Sequence, residues 1–207
     1  EEKAPKYAPQ KRWQRACISV AISPYKEMPR SSVLIWLFLW RSAAVFAGVI
    51  FPADTFWNYL PGRSEASPDD PSAWRGLGFD TSSWAISQAP FFYENQPASA
   101  TAYSGNTDLP DMFGGYTCLF LRKEFVINNP SDIQELDLQA MSDDGFIAWL
   151  NGTEVARFNM PIGEIPYNGT ASGALNEPVP QQNITLDRSA LRLVPGTNVF
   201  AVQAFKA

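Results

Sequence analysis

From Tyr116 to Phe205 the chain is a succession of short apolar runs, YTCLFLRKEFVI, IQELDLQAM, FIAWL, TEVARF and NVFAVQAF among them, each ended by turn-forming residues. Helices shorter than about 12–15 residues are marginal in water by themselves, so runs of this length argue for strands packed on one another. Their β-branched and aromatic residues and their period-two alternation point the same way. The spacing predicts strands over 116–127, 133–141, 146–150, 153–158, 183–187 and 198–205. In the second of these Leu136, Leu138 and Ala140 share one face, and Asp137 and Gln139 share the other, which is wet. FIAWL is apolar on both faces and is expected in the middle of a sheet. Short strands at regular spacing bury their apolar faces against a second sheet, which makes the fold class all-β and the architecture a sandwich.

The local geometry is clearest at Asn151-Gly152, between FIAWL and TEVARF. A two-residue type I′ turn needs positive φ at both positions, which Asn tolerates and Gly accepts freely, so a tight hairpin is expected here. Asp187–Leu193 reads as a short capped helical turn ended by Pro195-Gly196. Residues 54–115 are looser, with Trp57, Trp74, Trp84 and Phe91-Phe92-Tyr93 set among Pro, Ser and Asp, and are expected to hold the first strands joined by long loops. No internal repeat appears. A body of 54–207 is long enough to bury nearly 70% of its unfolded surface, sufficient for one core.

Ahead of that body, Val33–Ala53 reads VLIWLFLWRSAAVFAGVIFPA, an apolar stretch of membrane-spanning length interrupted by Arg41. Residues 1–27, with Lys3, Lys6, Lys11, Arg12 and Arg15 among them, show neither strand alternation nor a helical stripe, so they are expected to lie outside the functional protein. Met28, Pro29 and Arg30 followed by the apolar run have the layout of a secretory signal, with Val45-Phe46-Ala47 as the cleavage site or a cut after Ala53. The competing readings are an uncleaved anchor with its basic flank in the cytoplasm and a buried soluble helix. Arg41 near mid-span argues against the anchor, since an arginine there costs about 2.5–3.5 kcal/mol. The expected organisation is a basic leader over 1–27, a signal peptide or anchor over 28–53 and the sandwich over 54–207. That makes the product secreted or held at the cell surface, with membrane contact only through 33–53.

Charge and composition remove several function classes. Residues 1–53 carry eight Lys/Arg against three Asp/Glu, and residues 54–207 carry eight against eighteen. An acidic body offers phosphate backbones no favourable field, so nucleic acid is not an expected partner. There is no histidine, which excludes Ser-His-Asp and Cys-His nucleophile activation and histidine-ligated metal. Cys17 and Cys118, the only cysteines, flank the apolar segment and build neither a disulfide framework nor a cysteine zinc site.

Four motifs occur in a telling order: Gly78-Phe79-Asp80-Thr81-Ser82-Ser83-Trp84; Leu121-Arg122-Lys123-Glu124-Phe125; Asp143-Asp144-Gly145-Phe146 through Leu150-Asn151-Gly152-Thr153-Glu154-Val155-Ala156-Arg157; and Val194-Pro195-Gly196-Thr197-Asn198-Val199. Together they resemble the galactose-binding-like jelly-roll modules of large secreted bacterial proteins, related in fold to the sugar-binding domain of β-galactosidases. The resemblance covers about 54–207 and implies a jelly-roll sandwich in a multidomain polypeptide. Such modules normally add a strand after the one matching Asn198–Phe205, and its lack would leave an open sheet edge. The fold hosts sugar binders, adhesion modules and spacers alike.

Sugar sites combine a flat aromatic ring, stacked on the apolar face of a pyranose, with carboxylates or amides bonded to hydroxyls. Trp74, Tyr93 and Trp149 are the candidate platforms, Tyr93 foremost as a loop aromatic beside Glu94 and Asn95, while Trp84 is expected in the core. Asp143 and Asp144 are candidate ligand contacts. As adjacent strand residues they would face opposite ways and so make no catalytic dyad, and the resemblance gives them a structural part at a hairpin. Asp69-Asp70 and Asp108–Asp111 offer oxygen ligands to a structural Ca²⁺, although no EF-hand spacing is present, and no other cofactor is expected. Of three glycosylation sequons, at Asn151, Asn168 and Asn183, the first coincides with the hairpin turn. The expected function is a non-catalytic carbohydrate-binding or adhesive accessory module. The alternatives are a spacer without a ligand and the accessory domain of a glycoside hydrolase whose catalytic domain lies beyond residue 207, the module over 54–207 being expected to be a fragment truncated at its C-terminus.

Overall fold

The computed structural model describes residues 48–93, 105–176 and 179–207 and the backbone of 14–20. The strands are β1 (Gln14–Val20), β2 (Phe56–Pro61), β3 (Ala85–Gln88), β4 (Phe91–Tyr93), β5 (Thr107–Asp108), β6 (Cys118–Ile127), β7 (Glu135–Ser142), β8 (Gly145–Leu150), β9 (Thr153–Phe158), β10 (Gln182–Asp187) and β11 (Gly196–Phe205). They form a five-stranded sheet, β10-β7-β1-β4-β5, and a six-stranded sheet, β3-β2-β6-β11-β8-β9. Every pairing is antiparallel except the short β4–β5 ladder.

Alternation places the core between the sheets. Leu136, Leu138 and Ala140 of β7 and Leu186 of β10 face Trp57, Leu119, Leu121, Phe146, Ala148, Leu150, Phe200 and Val202 of the opposite sheet. β8 is buried at all six positions and β11 at its last eight. The six-stranded sheet therefore has a second apolar face, covered by the 3-10 turn Ala73–Arg75 and by Met160, Ile165 and Ala171 of the loop after β9. FIAWL is interior, between β11 and β9, as its two apolar faces require.

Two readings of the N-terminal third change. Gln14–Val20, read as featureless leader, forms β1 in the middle of the five-stranded sheet. Ile50 and Phe51, read as the end of the apolar segment, belong to the sandwich: Phe51 is buried edge-on to Trp57, ring centroids 5.5 Å apart, and Ile50 packs on the same core. The rest of the leader and residues 33–47 of the apolar run lie outside the described residues, among which no helix is long and apolar enough to cross a membrane. β11 has β6 on one side and β8 on the other. Asp187–Leu193 holds a single turn at the end of β10, with Ala190 N–H donating to Asp187 O at 2.8 Å and Leu191 N–H to Arg188 O at 3.2 Å.

The β8–β9 hairpin has the expected turn, with φ of 50° at Asn151 and 84° at Gly152. Asn151 also donates through Nδ2 to Arg192 O at 2.7 Å and to Asn198 Oδ1 at 2.8 Å, and its Oδ1 accepts from Val199 N–H at 2.8 Å. Buried Asn198 in turn bonds Val194 and Gly196, so the hairpin tip and the start of β11 are one network. A Cβ on Gly152 would meet only Gly76 Cα at 3.8 Å, an ordinary contact. The penalty of Gly152→Val is therefore conformational, about 1–3 kcal/mol, and is expected as a lowered midpoint in denaturant with unchanged slope.

Candidate functional site

The outer face of the six-stranded sheet decides the role of two candidate platforms. Trp74, delivered by the Ala73–Arg75 turn, is 1% exposed, and Trp149, projecting from β8, is 4% exposed. Their ring centroids lie 5.5 Å apart edge-to-face, and Trp74 also meets Phe120 at 5.1 Å and Trp84 at 6.1 Å. The Arg75 guanidinium lies 4.1 Å over the Trp149 ring and pairs with Glu164 of the covering loop. The structure brings Trp74 and Trp149 together, but as packing, with no ring face left open for a pyranose. Trp84 is buried beside them, as expected of a core residue. Below this layer Cys118 Sγ lies 3.0 Å from Tyr167 O, and burial pushes its thiol up to about 12.

Tyr93 and Asp143 meet elsewhere. Tyr93 is not on a loop: it ends β4, is buried in the inter-sheet core and has the Lys206 ammonium 5.6 Å from its ring. Its neighbours Glu94 and Asn95 lie outside the described residues. With Asp143, Phe91, Met112 and Phe205 it lines a cavity of about 10 Å³, room for one water and not for a sugar. Asp143 and Asp144 form the bend between β7 and β8, and both are buried. Asp144 accepts from Leu175 N–H through Oδ1 and from Ala207 N–H through Oδ2, both at 2.7 Å, while its own N–H donates to Phe205 O. Its carbonyl accepts from Asn159 Nδ2 at 3.0 Å. The carboxylate thus holds the loop after β9 and the end of β11 to the bend.

Where an aromatic ring and hydroxyl-bonding groups reach solvent together is the loop from Asp111 to Tyr116, which the sequence reading noted only for its acidic residues. Phe113 is 57% exposed. Gly114 has φ of 71°, and a Cβ on Gly115 would come within 2.0 Å of Asp111 O, so the two glycines are what let the loop turn back. Arg63 donates to Asp111 Oδ2 at 2.7 Å, and its guanidinium lies 5.0 Å over the Tyr116 ring. Tyr116 OH donates to Asp111 Oδ1 at 3.1 Å. The Arg63 hydrogen bond holds the Asp111 carboxyl below the usual carboxylate range, and burial is the main cause that raises the Tyr116 phenol. At neutral pH the rim therefore carries a half-exposed carboxylate and guanidinium beside an open ring. The legible signal is FGGY, two aromatics around a glycine pair.

The other acidic cluster is locally engaged. Asp70 accepts from the Ser72 backbone N–H at 2.9 Å and hydroxyl at 2.7 Å, bonds that hold its carboxyl low. Among the described residues no group of three or more His, Cys, Asp or Glu stands close enough to hold a metal ion.

No protein-family model and no curated protein matches this chain. Solved structures that match include β-glucuronidases from Bifidobacterium dentium (15% identity, TM-score 0.43, 75% of this chain and 20% of that one) and from an uncultured Clostridium species (12%, 0.41, 73% and 21%). A third, from Ruminococcus gnavus, is 14% identical with a TM-score of 0.40, over 74% of this chain and 21% of that one. The chain spans about a fifth of the length of these proteins.

Two outcomes follow from this geometry. Asp144→Ala removes the acceptor of two backbone donors and is expected to cost roughly 2–4 kcal/mol, with faster amide exchange at Leu175, while Asp144→Asn costs less. Thermal unfolding and hydrogen exchange check both. Cys118 is expected to stay unmodified by thiol reagents at pH 8 in the folded chain and to react on unfolding. Because its folded pKa lies above the unfolded value of about 8.5, that contribution is fully present below pH 8.5 and is lost as pH climbs toward 12.

Proposed function

We propose that the sandwich is a non-catalytic, carbohydrate-binding accessory module of an exported multidomain protein, and that it meets its glycan on the rim loop Asp111–Tyr116 and not in a pocket. The observation that carries this reading is the exposed Phe113 ring on a glycine-shaped loop with the ionised Arg63–Asp111 pair. An open ring stacks on the apolar face of a pyranose, and a carboxylate beside a guanidinium offers both an acceptor and donors to its hydroxyls. The engagement of Asp144 with backbone N–H groups supports a non-catalytic role, since that carboxylate is committed to holding the fold. Export through the apolar segment ahead of residue 48 belongs to the same proposal and rests on the sequence of that segment.

A spacer without a ligand is the second reading, favoured by the burial of all five residues first expected to touch sugar. Glycan-array binding followed by affinity measurement separates the two. Phe113→Ala is expected to weaken the best glycan at least tenfold, about 1.4 kcal/mol, with no change in melting temperature. Binding unaffected by Phe113→Ala overturns the rim assignment, and a chain that retains no glycan is a spacer.

A further inference from the structure

β1 enters its sheet differently from every other strand. Ala16–Val20 lies antiparallel to Leu138–Ser142 of β7, and Gln14–Ala16 lies antiparallel to Phe91–Tyr93 of β4. Residues 21–55 separate it from β2. Both lips of its slot are anchored independently of it. Leu138 and Ala140 of β7 and Phe91 and Tyr93 of β4 are buried in the inter-sheet core. On their far sides, β7 pairs with β10 from Glu135 to Ala140, and β4 pairs with β5 at Phe91 and Phe92. Without β1 a gap of two strand spacings, about 9–10 Å, would remain, bordered by backbone N–H and C=O groups that need partners.

We propose that this gap is a strand-acceptor slot: the sandwich takes up an extended peptide by backbone pairing, and Gln14–Val20 is the occupant supplied in cis. The slot rests on sheet topology and is independent of the glycan reading of the rim loop. It also constrains the apolar segment. A chain whose apolar run ahead of residue 48 crosses a membrane holds Gln14–Val20 and the sandwich on opposite sides, and cleavage after Ala47 severs them. Strand pairing in cis and export through that segment therefore exclude one another in a single molecule.

The test uses the full chain with a specific protease site inserted after Ser23 and cut once the protein has folded. The N-terminal fragment is expected to stay with the sandwich through gel filtration and to be displaced by a labelled peptide of residues 12–22. The same peptide carrying Ala16→Pro and Ile18→Pro, which lacks two backbone N–H groups and is fixed in φ at two paired positions, is expected not to displace it. A second measurement needs no cleavage. Met141, Ser142 and Tyr93 have ladder partners in β1 and none in β10 or β5. In the uncut double-proline variant their amides are expected to exchange at least tenfold faster while the β6–β11 ladder keeps its protection. Immediate loss of the fragment with no binding of the labelled peptide overturns the proposal, and so does unchanged exchange at all three amides.

Discussion

The rest of the structure depends on β8 and β11 being apolar on both faces. A sandwich strand ordinarily buries one face and wets the other, but here β8 is buried at all six positions and β11 at its last eight. Water has to be excluded from the outer face as well, so the segments between β2 and β3 and after β9 fold over it as a third layer. That layer contains little regular structure and is held by specific ties: Arg75 to Glu164, Asp144 to Leu175, and Cys118 beside Tyr167. Arg122, fully buried under it, is paired with Glu124 and donates to Gly76 O. A buried guanidinium is tolerated only with such partners.

The same constraint explains why the tryptophans are where they are. Covering a sheet face with two irregular segments leaves uneven space, and large rings meeting edge-to-face fill it without long regular elements. Trp74, Trp84 and Trp149 are spent on that task. The five-stranded sheet is thinner in every sense: β4 and β5 have three and two residues, and continuity between them and β7 depends on β1, a strand from a distant part of the chain.

Much of the fold was legible because its signals are local. The six strands anticipated after residue 115 all form, each within two residues of its expected bounds, and the Asn151-Gly152 turn has the two positive φ angles its residue types call for. β1 was not legible. QRACISV carries a basic neighbour and a weak pattern, and it is a strand because two prepared ladders flank it. The site was least legible. Residue type alone does not separate a tryptophan that fills a layer from one that offers a platform, since both are aromatic residues in a polar stretch. Phe113 drew no notice because its exposure follows from where Gly114 and Gly115 turn the chain.

The sequence by itself determined that the body over 54–207 is all-β, where most of its strands begin and end, which hairpin is tight and that no histidine chemistry is available, because each of these follows from residue type and spacing along the chain. The tertiary structure alone decided that residues 14–20 complete a sheet, that Phe51 belongs to the core, that Asp144 clamps two distant segments and that Phe113, not Trp74 or Tyr93, meets solvent. Burial is a property of what other segments cover, and that is set only when residues far apart in sequence pack together.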